Sequence, residues 1–143
     1  MVHAVSILEI LGKAWFCPSL IVDFPMVGLS VVILGQFSRT LAMYTAKESF
    51  NHYIQREHMN KHKLVTWGIY EYSRHPSYFG FFWWFVGTQL WLGNLVVLAL
   101  GVFKLWNFFN NRIEFEEKFL ISFFGQDYAN YKTKVKTGIP FIR

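Results

Sequence analysis

From Ser77 to Phe103 the chain carries no charged residue, and two polar clusters bracket that stretch: Arg74-His75-Pro76-Ser77-Tyr78-Phe79-Gly80 before it and Arg112-Ile113-Glu114-Phe115-Glu116-Glu117 after it. An apolar run of this length is a membrane-grade segment. A single helix over 77–111 would run roughly 50 Å, well beyond the ~30 Å hydrocarbon core of a bilayer, and would leave the two clusters on opposite faces. Gly93-Asn94 lies in the middle and is the natural turn. The pattern therefore predicts a hairpin, with helices at about 78–92 and 95–110, that returns Arg112 to the side of His75. The second helix is expected to continue past the membrane surface toward Phe124, with Gly125 as its cap and a short amphipathic piece over 128–136.

Upstream, Phe24 to Ser38 is another charge-free run, closed by Arg39, whose long side chain is expected to snorkel to the interface. Residues 24–46 are predicted to form the first spanning helix. Ser38, Ala42 and Ala46 recur every four residues, the small-residue spacing that allows close helix approach. Residues 1–23 are ambiguous, because Glu9 and Lys13 interrupt an otherwise apolar stretch, and are read as a surface or lumenal helix. Between Lys47 and Arg74 the chain is polar, with a turn at Thr66-Trp67-Gly68, and Pro76 is expected to break helix in front of Tyr78.

Composition agrees with the pattern: 53% of the 143 residues are hydrophobic, 20% aromatic and 16% charged, too apolar for an ordinary soluble domain. The predicted class is an all-α integral membrane protein in one domain spanning 1–143. It consists of an uncertain helix (1–23), a spanning helix (24–46), a cytosolic cofactor-binding segment (47–76), a transmembrane hairpin (77–110) and a cytosolic C-terminal part (111–143). The net charge is +5, and eleven of the 14 lysines and arginines lie in the segments 47–76 and 111–143 that flank the hairpin, while its tip, Trp91-Leu92-Gly93-Asn94, has none. By the positive-inside rule both flanks face the cytosol. Because acidic residues are interleaved with the basic ones, topology accounts for the charge and no nucleic-acid partner is expected.

The chemistry sits in the clusters. His52, His58, His62 and His75 match no compact ligand spacing and Cys17 is the only cysteine, so no metal is expected. No Gly-x-Gly occurs, which excludes a Rossmann turn or a phosphate loop. Ser73 and Ser77 flank His75, yet no acid stands at a recognisable spacing to orient that histidine, so a hydrolase is disfavoured. Arg112 and Glu116, four apart on a helix, share one face. On spacing alone they form an exposed ion pair; at the mouth of an apolar hairpin, ionisable groups tend instead to be functional.

With these residues in view, the chain resembles the isoprenylcysteine carboxyl methyltransferases. The likeness runs from about Leu34 to Ile142 and is carried by His62-Lys63-Leu64-Val65-Thr66, Arg74-His75-Pro76-Ser77-Tyr78-Phe79-Gly80, Gly87-Thr88-Gln89, Arg112, Glu116-Glu117 and the ending Gly138-Ile139-Pro140-Phe141-Ile142. Arg-His-Pro-x-Tyr-x-Gly is shared with related membrane methyltransferases and sterol reductases, and the ending narrows the match. The resemblance implies S-adenosylmethionine as methyl donor, contacted by Gln55, His62, Lys63, Leu64, Val65, Tyr70, His75, Pro76, Ser77, Tyr78 and Glu116. It implies Arg112 as the substrate-binding residue, with Arg112 and Glu116 at the reacting centre. The implied acceptor is the C-terminal prenylated cysteine of CaaX-type proteins in the endoplasmic reticulum membrane, with the site facing the cytosol. Family members usually carry further helices before the segment matching 24–46, so the chain is expected to be N-terminally short. A sterol-type reductase and a non-catalytic membrane protein are the alternative readings.

Overall fold

The computed structural model of the chain describes residues 2–16, 25–49 and 63–142, so the expectations for Gln55, His62, His52, His58 and Cys17 lie outside the described residues. Four helices follow in order, α1 (Val2–Phe16), α2 (Pro25–Ala46), α3 (Pro76–Trp91) and α4 (Leu95–Lys134), with short 3-10 turns at Lys47–Ser49 and Gly68–Glu71. Among the described residues there is no strand.

α2 is the one described helix long and apolar enough to cross a membrane by length and composition. Pro25 opens it, where a missing N–H costs nothing. Its partner is α3, against which it lies antiparallel with backbones in close approach. A Cβ added at Gly35 would come within 2.5 Å of the Trp84 nitrogen and 2.7 Å of the Gly80 oxygen, and one at Gly87 within 2.6 Å of the Val32 nitrogen. The seam on α2 is Gly28, Gly35 and Ala42, all buried and spaced by seven. This corrects the expected four-residue spacing: Ala42 and Ala46 are buried, but Ser38 turns aside and donates to the Leu34 carbonyl at 2.9 Å. Positions seven apart drift only about 20° around a helix, whereas positions four apart drift about twice that, so a straight contact favours sevens.

α3 and α4 are joined by a tight turn and pack against each other. Pro76 begins α3 rather than breaking it, with His75 as the N-cap residue. Gly93 takes positive φ (66°) at the turn, and Asn94, fully buried, receives the Leu98 N–H at 2.9 Å. The sides meet through aromatic packing, with Phe81 edge-on to Phe109 and Phe85 lying where a side chain at position 101 would be, so Gly101 is required. Gly125 leaves the helical region (φ 54°, ψ −125°) and ends the first part of α4 as expected; a second helical piece follows across the kink, without a loop, and runs to Lys134.

Glu9 and Lys13, read as interruptions, turn out to dock α1 on the hairpin tip. Glu9 accepts from the N–H groups of Val96 and Val97 at 3.2 and 2.9 Å, capping α4. Lys13 donates to the Gly93 carbonyl at 2.6 Å and pairs with Glu9 at 2.7 Å. Ser6 donates to Gln89 at 3.1 Å beside them. Orphaned backbone groups at both ends of the turn are thus satisfied from another helix.

At the opposite end of the hairpin the C-terminal segment folds back. The Arg74 N–H donates to the Lys136 carbonyl (3.0 Å), Ser73 to the Thr137 carbonyl (2.6 Å) and the Trp106 indole to the Pro140 carbonyl (2.8 Å). Ile139 and Ile142 join Phe82, Phe109 and Ile113 in the core. Gly138, at φ 81°, packs on Phe79, leaving no room for a side chain.

Candidate active site

A cleft of about 330 Å³ opens at this end of the hairpin, between the extended segment 63–66, the start of α3 and the middle of α4. Every described residue singled out from the sequence lines it: Lys63, Leu64, Val65, Tyr70, His75, Pro76, Ser77, Tyr78, Arg112 and Glu116. Three features of the chain bring them there. Gly68 (φ 64°) bends the chain so that Tyr70 faces inward, Pro76 starts α3 at the rim, and the hairpin returns α4 with Arg112 and Glu116 on the same face.

Arg112 and Glu116 are joined through Tyr78, whose hydroxyl donates to the Glu116 carboxylate at 2.6 Å and accepts from Arg112 Nε at 2.8 Å. The Arg112 guanidinium also lies over the rings of Tyr78 and Phe108, at 5.4 and 5.9 Å. The Tyr78 ring stacks on His75 on one side (5.5 Å, 8° between planes) and on Phe109 on the other. The pair is therefore no exposed ion pair but one end of an ordered, aromatic-walled site. Tyr70 lies nearby, its hydroxyl pKa pushed up to about 12 by burial and by the negative charge of Glu116.

Behind the cleft sits a buried ionic hub that sequence reasoning left unassigned. Glu117 accepts from Arg74 Nε at 2.5 Å and from the Tyr128 hydroxyl at 3.1 Å, pairs with Lys132 at 2.6 Å and lies 3.1 Å from His75 Nε2. Burial by itself would raise the Glu117 pKa; hydrogen bonds from His75, Arg74 and Lys132 outweigh it and hold the carboxyl well below the usual range. The Tyr128 hydroxyl is pushed up by burial and by that carboxylate. An acid does orient His75, then, from forty-two positions away, and it holds the ring edge while the ring face meets Tyr78. Glu116 and Glu117 divide the work because neighbouring helical residues point about 100° apart, one toward the cleft and one toward the C-terminal segment.

Arg39 is also in the wall. Its guanidinium lies 5.0 Å over the Phe81 ring. The signal for Glu117 and Arg74 was adjacency to named residues within polar clusters; local spacing gave none for Tyr128 and Lys132, whose partner Glu117 lies several helical turns away.

These features define a class: an all-helical protein whose ligand cleft is built at the open end of an apolar hairpin, with no nucleotide-binding sheet among the described residues. Residues 26–122 match the profile of the isoprenylcysteine carboxyl methyltransferase (ICMT) family. The chain belongs to that family. It is 47% identical over 148 residues to protein-S-isoprenylcysteine O-methyltransferase of Saccharomyces cerevisiae, covering 98% of this chain and 62% of the relative. With the Homo sapiens protein of the same name it is 44% identical, over 96% of this chain and 49% of the relative. A solved structure, a eukaryotic intramembrane Ras methyltransferase of the family, superposes with a TM-score of 0.94 at 43% identity, over 99% of this chain and 51% of that one. The chain spans about half to three-fifths of the length of these relatives.

Proposed function

We propose that the chain carries the catalytic cleft of a membrane methyltransferase that esterifies the C-terminal carboxylate of prenylated cysteine in CaaX-type proteins, with S-adenosylmethionine as methyl donor. The observation that carries this reading is the Arg112–Tyr78–Glu116 cluster on the wall of an aromatic cleft, in a chain of this family. The residues suit the donor. A carboxylate (Glu116) in a cleft also lined by Phe81, Phe108 and Phe119 is an environment that favours a sulfonium cation, and residues 63–65 bring peptide groups to the rim where a nucleoside would need partners. The volume, about 330 Å³, falls within the range of small-molecule sites.

S-adenosylmethionine, when bound, supplies an electrophilic methyl group. A carboxylate oxygen forms the new bond to that methyl carbon while the carbon–sulfur bond breaks and its electron pair stays on sulfur, leaving a methyl ester and S-adenosylhomocysteine. No general base is needed, because a C-terminal carboxyl has a pKa of about 3.5 and is ionised at neutral pH. Positioning is what the chain must supply. Arg112 holds the carboxylate. Tyr78 fixes Arg112 through Nε, and the rings of Tyr78 and Phe108 support its guanidinium. Aromatic walls exclude water, which strengthens the attraction between carboxylate and sulfonium as charge is cancelled.

In this reading α2 and the α3–α4 hairpin lie in the endoplasmic reticulum membrane with the cleft on the cytosolic side, and the lipid tail arrives sideways from the bilayer. The test is methyl transfer by the purified chain in lipid nanodiscs, from methyl-labelled S-adenosylmethionine to N-acetyl-S-farnesylcysteine. Base-labile label on the acceptor, lost with Arg112→Ala while donor binding stays within a fewfold, is the expected result. Label that survives Arg112→Ala unchanged would refute the assignment of the carboxylate to Arg112.

A further inference from the structure

Lys104 is a cation midway along the apolar hairpin. The charge-free stretch ends at Phe103, yet α4 runs on, and Lys104 lies nine residues from Leu95 at the tip and eight from Arg112 at the cleft. At 1.5 Å per residue that is about 13 Å from one end and about 12 Å from the other. The side chain is exposed and does not line the cleft. Among the described residues no carboxylate pairs with it, and Glu114, the next acid along α4, is held by Lys118 at 3.1 Å. A lysine stem reaches about 6 Å, roughly half the distance to a lipid phosphate at either rim. Its counter-ion must therefore come to it within the membrane, where an unpaired charge is costly.

The surface around it is patterned for another helix. Val96, Leu100, Phe103 and Asn107 follow one another at spacings of four, three and four, and all four are exposed, so α4 carries an open seam in the register of helix-on-helix packing. In that register Leu100 and Asn107 fall at equivalent core positions with Phe103 between them, and Lys104 falls on the flank, where interhelical ion pairs form; a single asparagine at such a core position sets the register. Among the described residues the Asn107 amide has no partner either. The seam is separate from the cleft: Phe103 and Arg112, nine residues apart, point to opposite sides of α4. We infer that this face of α4 receives a further membrane-spanning helix carrying a carboxylate at mid-depth, paired with Lys104 and aligned by Asn107. The inference goes beyond the methyl-transfer reaction and rests on the hairpin's lying in the bilayer.

The test is association, in phosphatidylcholine vesicles, between the chain and polyleucine membrane-spanning peptides whose central residue is glutamate, leucine or lysine, read as energy transfer from a dye on a cysteine at position 134 on a Cys17→Ser background. The wild type is expected to bind the glutamate peptide about tenfold more tightly than the leucine peptide, the scale of one charge-assisted contact between helices. K104L is expected to bind the two alike, and K104E to prefer the lysine peptide; K104L carries the test alone if K104E does not insert. Equal binding of the glutamate and leucine peptides by the wild type, or a glutamate preference that survives K104L, overturns the inference. If the wild type shows no peptide preference but retains phosphatidylserine through purification where K104L loses it, Lys104 serves a lipid phosphate and the inference is overturned too. An impermeant maleimide that reaches a cysteine at position 100 in sealed vesicles would put the seam in water, and would overturn the membrane placement of the hairpin with it.

Discussion

Tyr78 shares one hydroxyl between a cation and an anion, which makes it the most sensitive single atom in the cleft. Tyr78→Phe keeps both ring stacks and removes only the two hydrogen bonds, each to a charged partner and worth about 1.5–3 kcal/mol. We expect kcat/KM for farnesylcysteine to fall about 10- to 100-fold; an unaltered kcat/KM would remove the hydroxyl from the site. Glu117 behaves oppositely. Glu117→Ala leaves Arg74, buried with Nη2 already unpaired, without its carboxylate, and should cost about 3–5 kcal/mol of stability. Because the folded pKa of Glu117 is depressed, its contribution is complete above the ordinary value near 4.5 and disappears as pH falls below it toward the depressed pKa. Unfolding midpoints measured from pH 6 down to 3 should therefore fall more steeply for the wild type than for the alanine variant; parallel curves would show that the hub contributes no such linkage. At this scale the sequence revealed which residue types gather, since Arg112 and Glu116 share a helical face. It did not reveal that Tyr78 joins them or that Glu117 orients His75, because those partners lie 34 to 42 positions apart.

Among the elements, α2 and α3 depend on glycine at their contact more than on any side chain. Gly35→Ala puts a methyl into the Trp84 and Gly80 backbones, where nothing flexible can yield, and should cost about 1–3 kcal/mol as overpacking. Gly12→Ala on α1 meets nothing within 4 Å and should be neutral or slightly stabilising, since alanine is the better helix former. Thermal unfolding of the two variants in the same nanodiscs checks the contrast, and equal midpoints would show that the seam is looser than its geometry. The helices themselves were legible, because charge-free runs and the Gly93 turn mark their limits within a residue or two. The seven-residue register was not, since Ser38, Ala42 and Ala46 offer an equally regular alternative and only the facing Gly80 and Gly87 decide between them. Glu9 was legible only as a flaw in an apolar stretch; its meaning as the cap of α4 needed the tip beside it.

For the whole molecule, the length of α3 constrains how the protein sits in a bilayer. Sixteen residues extend about 24 Å, less than the ~30 Å core, so the hairpin either thins the bilayer or stops within it. The Glu9–Lys13 pair at the tip fits both cases, because the charges neutralise one another and cap the turn. At the other end, residues 63–65 and the start of α3 line the cleft, and the chain after Lys134 packs behind it, where Arg74 is bonded to the Lys136 and Val135 carbonyls. Basic residues concentrate on these same segments, so in the proposed reading they are expected, by the positive-inside rule, on the cytosolic face, with Gly93-Asn94 toward the other. On a Cys17→Ser background, single cysteines at positions 66 and 134 should both label with an impermeant maleimide from the cytosolic side of oriented membranes. A cysteine at position 92 should label only from the far side or after the membrane is breached. If 66 and 134 label from opposite sides, the segments that build the cleft are separated by a bilayer, and no arrangement of α2, α3 and α4 could bring Arg112 to Tyr78.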